Sequence, residues 1–256
     1  MGDIKFLFLQ KFFNMSHCGL VIIPTYNEIE NIESIIRTVF SLPNSFHILI
    51  VDDNSPDKTF NKVIALQKEF SDNLFLEIRT KKAGLGTAYV HGFQWALLRN
   101  YEYIYEMDAD FSHNPNDLIK LYEACHIGGA DFAIGSRYVT GVNVVNWPLS
   151  RVLLSYFASV YVRLITGMKI HDATAGFICY KRNVLETINL KRIKFIGYAF
   201  QIEMKYRVFA NHFVIHEVPV IFTDRTKGQS KMSGAIIKEA IFGVLSLRIR
   251  KFFNRL

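Results

Sequence analysis

Short apolar runs that stop at polar turns alternate, over about the first 140 residues, with stretches whose apolar positions recur every three or four places. Leu20–Ile23 is β-branched and apolar, ends at Pro24, and predicts a buried strand. Glu30–Phe40 places Ile32, Ile35, Ile36 and Val39 on one helical face. Phe46–Val51 predicts a second strand, and Ser55-Pro56 a helix start leading to about Phe70, with Ser as cap and Pro at the first helical position. Leu74–Ile78, the aromatic run Tyr101–Tyr105 and Asp131–Ile134 predict further strands. Between them, helices are expected from Ala88 to about Leu98 and from Asn114-Pro115 to about His126. Strands and helices in strict alternation predict an α/β domain with a mainly parallel, Rossmann-like sheet flanked by helices.

The texture changes after Asn146. Trp147-Pro148 predicts a turn, and Ser150–Ile165 a helix ranging from amphipathic to fully buried. Phe177–Lys181 predicts a strand, and Gly197–Glu203 leads into a helix that ends near Ala210. Phe213–Phe222 alternates like a strand but contains Pro219, which suits a sheet edge. Asp224–Met232 is polar and basic, and Ala235–Phe253 predicts a basic amphipathic helix suited either to an anionic membrane surface or to packing on the domain. The resulting partition is a flexible leader over 1–18, a catalytic domain over 19–232 and a terminal helix over 233–256.

The 256 residues are 50% hydrophobic and 21% charged, a globular balance with ample material for a core. Cys18, Cys125 and Cys179 have neither zinc nor disulfide spacing, which points to a reducing compartment. A net charge of +7 favours an anionic membrane or a phosphorylated substrate, since no nucleic-acid-binding signature is present. The best candidate for a membrane span, Val152–Ile165, is short and interrupted by Arg163.

The candidate chemistry sits where the strands are expected to end. Met107-Asp108-Ala109-Asp110 follows the fourth strand, and carboxylates at i and i+2 share one face of an extended chain. Their repulsion is relieved by a hard cation such as Mg²⁺ or Mn²⁺, which completes its shell with water and phosphate oxygens; a solvated acidic turn is the alternative. Tyr26 and Glu28 follow the first strand, positioned to stack on a base and to face a ribose or cation, or in the case of Tyr26 to pack on the core. Asp53 can accept hydrogen bonds from a nucleoside, Asp57 suits a helix N-terminus, and Asp52 suits either a ligand or turn chemistry. Lys81-Lys82-Ala83-Gly84-Leu85-Gly86-Thr87 is either an anion cradle or a simple turn. Arg137 can clamp a phosphate or carboxylate, or pair with a surface acid.

In their order, Pro24–Glu28, Val51–Asp57, Lys82–Ala88, Met107–His113 and Gly135–Tyr138 resemble the family-2 glycosyltransferases with the A-type nucleotide-sugar fold. Within that family the resemblance is to the branch that makes dolichyl phosphate mannose from GDP-mannose. It runs from about Leu20 to Gly243, and Arg225 to Lys231 matches the branch's basic loop. It implies a nucleoside pocket at Pro24, Tyr26 and Glu28, with Val51 and Asp53 on the base and ribose side. Asp108 and Asp110 would handle the metal and diphosphate beside the Met107 and Ala109 backbone. Arg137 would reach a donor or acceptor phosphate, and Arg225 and Lys231 would close over the phosphates. Ile178 stands where members usually carry Arg. The acceptor implied is dolichyl phosphate, attacked with inversion, at the cytosolic face of the endoplasmic reticulum, for protein glycosylation and GPI-anchor synthesis. Membrane association is expected to be peripheral, through small integral membrane subunits or the terminal helix. The alternatives are a dolichyl-phosphate glucosyltransferase using UDP-glucose and a non-catalytic membrane-associated partner of the same fold.

Overall fold

The computed structural model describes residues 19–197, 199–224 and 243–250. Its main sheet holds β1 (Gly19–Thr25), β2 (Phe46–Asp52), β3 (Leu74–Ile78), β4 (Tyr103–Glu106), β5 (Phe132–Ser136), β7 (Ile178–Lys181) and β8 (Ile215–Pro219). They lie in the order β3-β2-β1-β4-β7-β5-β8. β7 alone is reversed, running antiparallel to both β4 and β5, so β4 and β5 point the same way. β6 (Val144–Val145) and β9 (Phe222–Thr223) form a separate two-stranded parallel ribbon.

Alternation along the strands builds the two faces. Leu20 and Ile22 of β1 join one core cluster and Val21 and Ile23 the other, all fully buried. Helices α1 (Ile32–Phe40), α2 (Thr59–Gln67), α3 (Leu85–Leu97), α4 (Asp117–His126), α5 (Leu149–Thr166), α6 (Arg182–Thr187) and α7 (Ala199–Ala210) surround the sheet. The expected face of α1 is the one observed, with Ile32, Ile35, Ile36 and Val39 at zero exposure.

Several boundaries differ from the sequence pattern, each for a local reason. Ser55 does not cap a helix: its hydroxyl donates to Asp52 at 2.7 Å, and α2 starts only at Thr59 after Lys58 turns left-handed at φ 64°. Asp57 serves that terminus as expected, accepting from the Thr59 backbone N–H at 2.9 Å. α3 opens at Leu85, three residues before Ala88, because Gly84 at φ 100° turns the chain directly into it. β4 stops at Glu106, leaving Asp108 and Asp110 in the following turn. Phe213–Phe222 divides: β8 is the edge strand that Pro219 implied, while β9 leaves the sheet to pair with β6.

The largest departure is α5. It is longer than the apolar run, with 18 residues and mean hydropathy 1.2, long and apolar enough by length and composition to cross a membrane. It is not fully buried either: only Ser159, Val162 and Thr166 are shielded. Leu149, Leu153, Phe157 and Leu164 instead stand exposed at four- and seven-residue intervals on one stripe. Residues 243–250 are helical, with Val244 and Leu247 in the core; the rest of the expected terminal helix lies outside the described residues.

Candidate active site

The carboxyl ends of β1, β2, β4 and β5 share one edge of the sheet, and the polar residues singled out from the sequence gather there in two groups. The first joins the β1 and β2 loops. Pro24 pairs in register with Val51, and Asp53 N–H donates to the Thr25 carbonyl at 3.0 Å. Asn27 N–H donates to the Ser55 hydroxyl at 3.1 Å, and Glu28 N–H to Thr59 Oγ1 at 3.0 Å. Asp53 sits against Arg79, whose Nε donates at 2.5 Å, while Arg79 also donates to Thr87 Oγ1 at 2.7 Å. Lys82 Nζ lies 4.2 Å over the Tyr26 ring. Asp52 is wholly taken up by turn chemistry, bound by the Thr25 hydroxyl and by Ser55. Val51 is fully buried, its side chain part of the core beneath the loops.

The second group lines a cavity of about 420 Å³. Asp108 and Asp110 enter its wall, while Met107 and Ala109, alternating with them, pack into the core. The alternation expected of an extended chain therefore holds past the end of β4. Tyr89 OH donates to Asp108 Oδ1 at 3.4 Å, and Ser112 N–H to Asp110 Oδ1 at 3.0 Å. Burial, then the Asp108 and Glu106 charges, hold the Tyr89 phenol well above its ordinary pKa, so it remains a donor. Asp108 and Asp110 fit a divalent cation by donor type, offering hard carboxylate oxygens. Among the described residues no group of three or more His, Cys, Asp or Glu side chains is arranged to hold a metal ion. A cation there would draw its remaining ligands from water and a diphosphate, as Mg²⁺ and Mn²⁺ do.

Arg137 reaches the same cavity from β5, but its expected surface partner is a buried one. Its Nε and Nη2 donate to the two oxygens of Asp172 at 2.7 Å each, and Nη2 also donates to Thr174 Oγ1 at 2.8 Å. Burial opposes the charged guanidinium, and Asp172 more than offsets it, leaving the Arg137 pKa raised. Among the described residues nothing accepts from its Nη1. Arg225 and Lys231 lie outside the described residues. Ile178, where Arg was the family habit, is a fully buried core residue of β7.

Several cavity residues carried no readable signal. Arg151 of α5 packs 4.0 Å over the Trp147 ring and bonds Asp224 at 2.7 Å. His113 stacks on Phe177 with centroids 4.9 Å apart, and burial pushes its pKa down to about 4. Its Nδ1 is buried without a partner. Behind the acidic pair lies Glu106, fully buried, accepting from Tyr180 OH at 2.6 Å and from the Gln201 amide. Burial pushes the Glu106 carboxyl up to about 7, against those bonds and the charge of buried Lys205. Gln201 and Lys205 of α7 gave no sequence signature, because their partners Glu106 and Ala175 lie far away along the chain.

The model of the glycosyl transferase family 2 matches residues 20–188. The chain belongs to glycosyltransferase family 2. A polyprenol monophosphomannose synthase of Mycolicibacterium smegmatis is 48% identical over 236 residues, covering 92% of this chain and 89% of that one. An undecaprenyl-phosphate mannosyltransferase of Micrococcus luteus is 42% identical, covering 88% and 91% respectively. A dolichol-phosphate mannosyltransferase of Pyrococcus furiosus is 36% identical, covering 86% of this chain and 60% of its own. Within family 2 the chain thus groups with the polyprenol-phosphate mannosyltransferases. Glucosyl-3-phosphoglycerate synthase of Mycobacterium tuberculosis, in complex with Mn²⁺, UDP-glucose and phosphoglyceric acid, superposes with a TM-score of 0.66 at 17% identity. That alignment covers 91% of this chain and 80% of the other. The mostly parallel sheet with its flanking helices is accordingly the A-type glycosyltransferase fold.

Proposed function

We propose that this glycosyltransferase moves mannose from GDP-mannose to the phosphate of a polyprenyl phosphate, with dolichyl phosphate within its acceptor range. The observation that carries the reading is one cavity holding Asp108 and Asp110 together with Arg137 and Arg151, beside an apolar helix that faces outward. The names of the relatives support the polyprenyl-phosphate acceptor and the mannosyl group.

In this reading the β1 and β2 loops hold the nucleoside, with Tyr26 offering a ring face and Glu28 and Asp53 offering acceptors. Asp108 and Asp110 would hold Mg²⁺ or Mn²⁺, which when bound neutralises the charge that grows on the departing diphosphate. Arg137, held rigid by Asp172, presents a fixed positive edge to a phosphate. Arg151 adds a second cation on the α5 side of the cavity. A phosphate acceptor is ionised near neutral pH, with a second pKa of about 6, so it attacks the anomeric carbon without a general base. That agrees with a neutral His113 whose pKa lies too low for a base at neutral pH.

The long lipid tail needs an apolar route to the cavity. Leu154, Phe157 and Tyr161 of α5 line the cavity, and Leu153, Phe157 and Leu164 are exposed on its outer side. We place α5 against the lipid surface, alongside the basic terminal helix expected from the sequence. Inward, Ser159, Val162 and Thr166 seat it on the body, which favours lying on a membrane over crossing one.

The test is transfer of radiolabel to a polyprenyl phosphate by the purified protein, from GDP-mannose and separately from UDP-glucose, with and without chelator. Chelator-sensitive mannosyl transfer is expected. Glucosyl transfer alone, or no transfer with either donor, overturns the reading.

A further inference from the structure

Gln201 is a cavity residue whose hydrogen bonding is half complete. It stands in the first turn of α7 and is 2% exposed. Its Nε2 donates to the Glu106 carboxylate, and that carboxylate is itself pinned by Tyr180 OH at 2.6 Å. The backbone is pinned as well, since Lys205 Nζ donates to the Gln201 carbonyl at 3.4 Å and to the Ala175 carbonyl at 2.5 Å. The amide thus turns its NH₂ toward Glu106 and its carbonyl away. The Gln201 Oε1 thus turned away is buried and has no partner. Leaving such an acceptor unsatisfied costs roughly 1–3 kcal/mol, so native proteins seldom keep one without a use.

Trp147 Nε1 and His113 Nδ1 of the same cavity are also buried without a partner; the first can only donate, and the second stands on the turn after the acidic pair. Arg137 is a donor held by Asp172, and Thr174 Oγ1 donates to Asp172 and accepts from Arg137. Oε1 needs a donor from the ligand. Ionised phosphates and diphosphates carry none, and a polyprenyl chain carries none. The nucleoside carries donors, but the reading above seats it at the β1 and β2 loops. What remains is the sugar. Gln201 shares the cavity with Asp108 and Asp110, and Glu106, which orients it, ends β4 two residues before Asp108.

We propose that Gln201 Oε1 accepts a hydrogen bond from one hydroxyl of the transferred sugar, and that Gln201 is a specificity-determining residue oriented by Glu106. The inference rests on the nucleotide-sugar transfer proposed above. It makes the recognition of the sugar depend on one neutral acceptor, which rewards a hydroxyl at the matching ring position and leaves the amide unpaired when that hydroxyl is missing.

The experiment compares kcat/KM for GDP-mannose and its monodeoxy analogues in the wild-type protein and in Gln201→Met, which keeps the length and removes the acceptor. One deoxy donor is expected to fall by roughly 10-fold in the wild type, as loss of a single neutral hydrogen bond would give. In Gln201→Met that same donor should fall no further than the others, while GDP binding stays close to wild type. If the variant does not fold, Glu106→Gln carries the same comparison, because the new amide can donate to Gln201 Oε1 and turn it away from the sugar, which should erode the preference. Equal losses for all deoxy donors in the wild type overturn the proposal and mark Oε1 as a water site only. So does a deoxy penalty unchanged by either variant. Failure of the wild type to use any nucleotide sugar would instead sink the underlying function, which keeps the two outcomes apart.

Discussion

Arg137 and Asp172 meet through two parallel hydrogen bonds of 2.7 Å, and a third joins the Arg137 backbone N–H to the same carboxylate at 3.0 Å. Asp172 is fully buried, and its backbone N–H is in turn held by Glu217 at 2.9 Å. The pair ties the end of β5 to the segment entering β7, and so fixes the part of the cavity wall formed by Arg137 and Thr174.

Asp172→Asn keeps the volume and removes the charge. Arg137 is then left buried without its counter-ion, a change that costs about 3–5 kcal/mol. Urea unfolding should show the midpoint falling by a corresponding amount. A variant with wild-type stability would mean that Arg137 turns to solvent and is not held as described.

Asp110 accepts from the Ser112 backbone N–H, a bond worth about 1 kcal/mol. Asp110→Ala should lower transfer by roughly 100-fold or more, far beyond what the loss of that bond explains. Titration of the variant with Mn²⁺ and GDP should lose the metal-dependent part of the heat. Transfer within a few-fold of wild type would refute the assignment.

His113 makes stability depend on pH. Its ordinary pKa of 6.5 applies in the unfolded chain, and burial lowers it to about 4 in the folded one. Between those values the unfolded state binds the extra proton, so stability falls as the pH falls, by at most about 1.4 kcal/mol per unit. His113→Phe preserves the ring stacking on Phe177 and removes the titration. Its unfolding free energy should decline less than that of the wild type from pH 6.5 to pH 4. Parallel curves would place the proton elsewhere.

The outer stripe of α5 predicts membrane affinity without a contribution to the fold. Leu153 and Phe157 are 45% and 61% exposed, so the pair Leu153→Ser and Phe157→Ser should leave thermal unfolding nearly unchanged. Flotation with anionic vesicles should show a clear loss of bound protein. Undiminished flotation would assign the membrane contact to another part of the chain.

The amino-acid sequence by itself determined the order of β1 to β5 and their helices, the face of α1, the edge position of β8 and the outward alternation of Asp108 and Asp110, but not β6, β9 or α6. These depend on periodicity and on turn residues, which act over a few neighbours. It could not show that β7 runs backward between β4 and β5, that Ser55 serves Asp52 instead of capping α2, or that α5 turns an apolar stripe to the outside. Nor could it pair Arg137 with Asp172 or Gln201 with Glu106, 35 and 95 residues apart. Those were decided by the tertiary structure. Strand order and register choose which distant side chains meet, and only their packing removes the water that would otherwise satisfy each charge and amide alone.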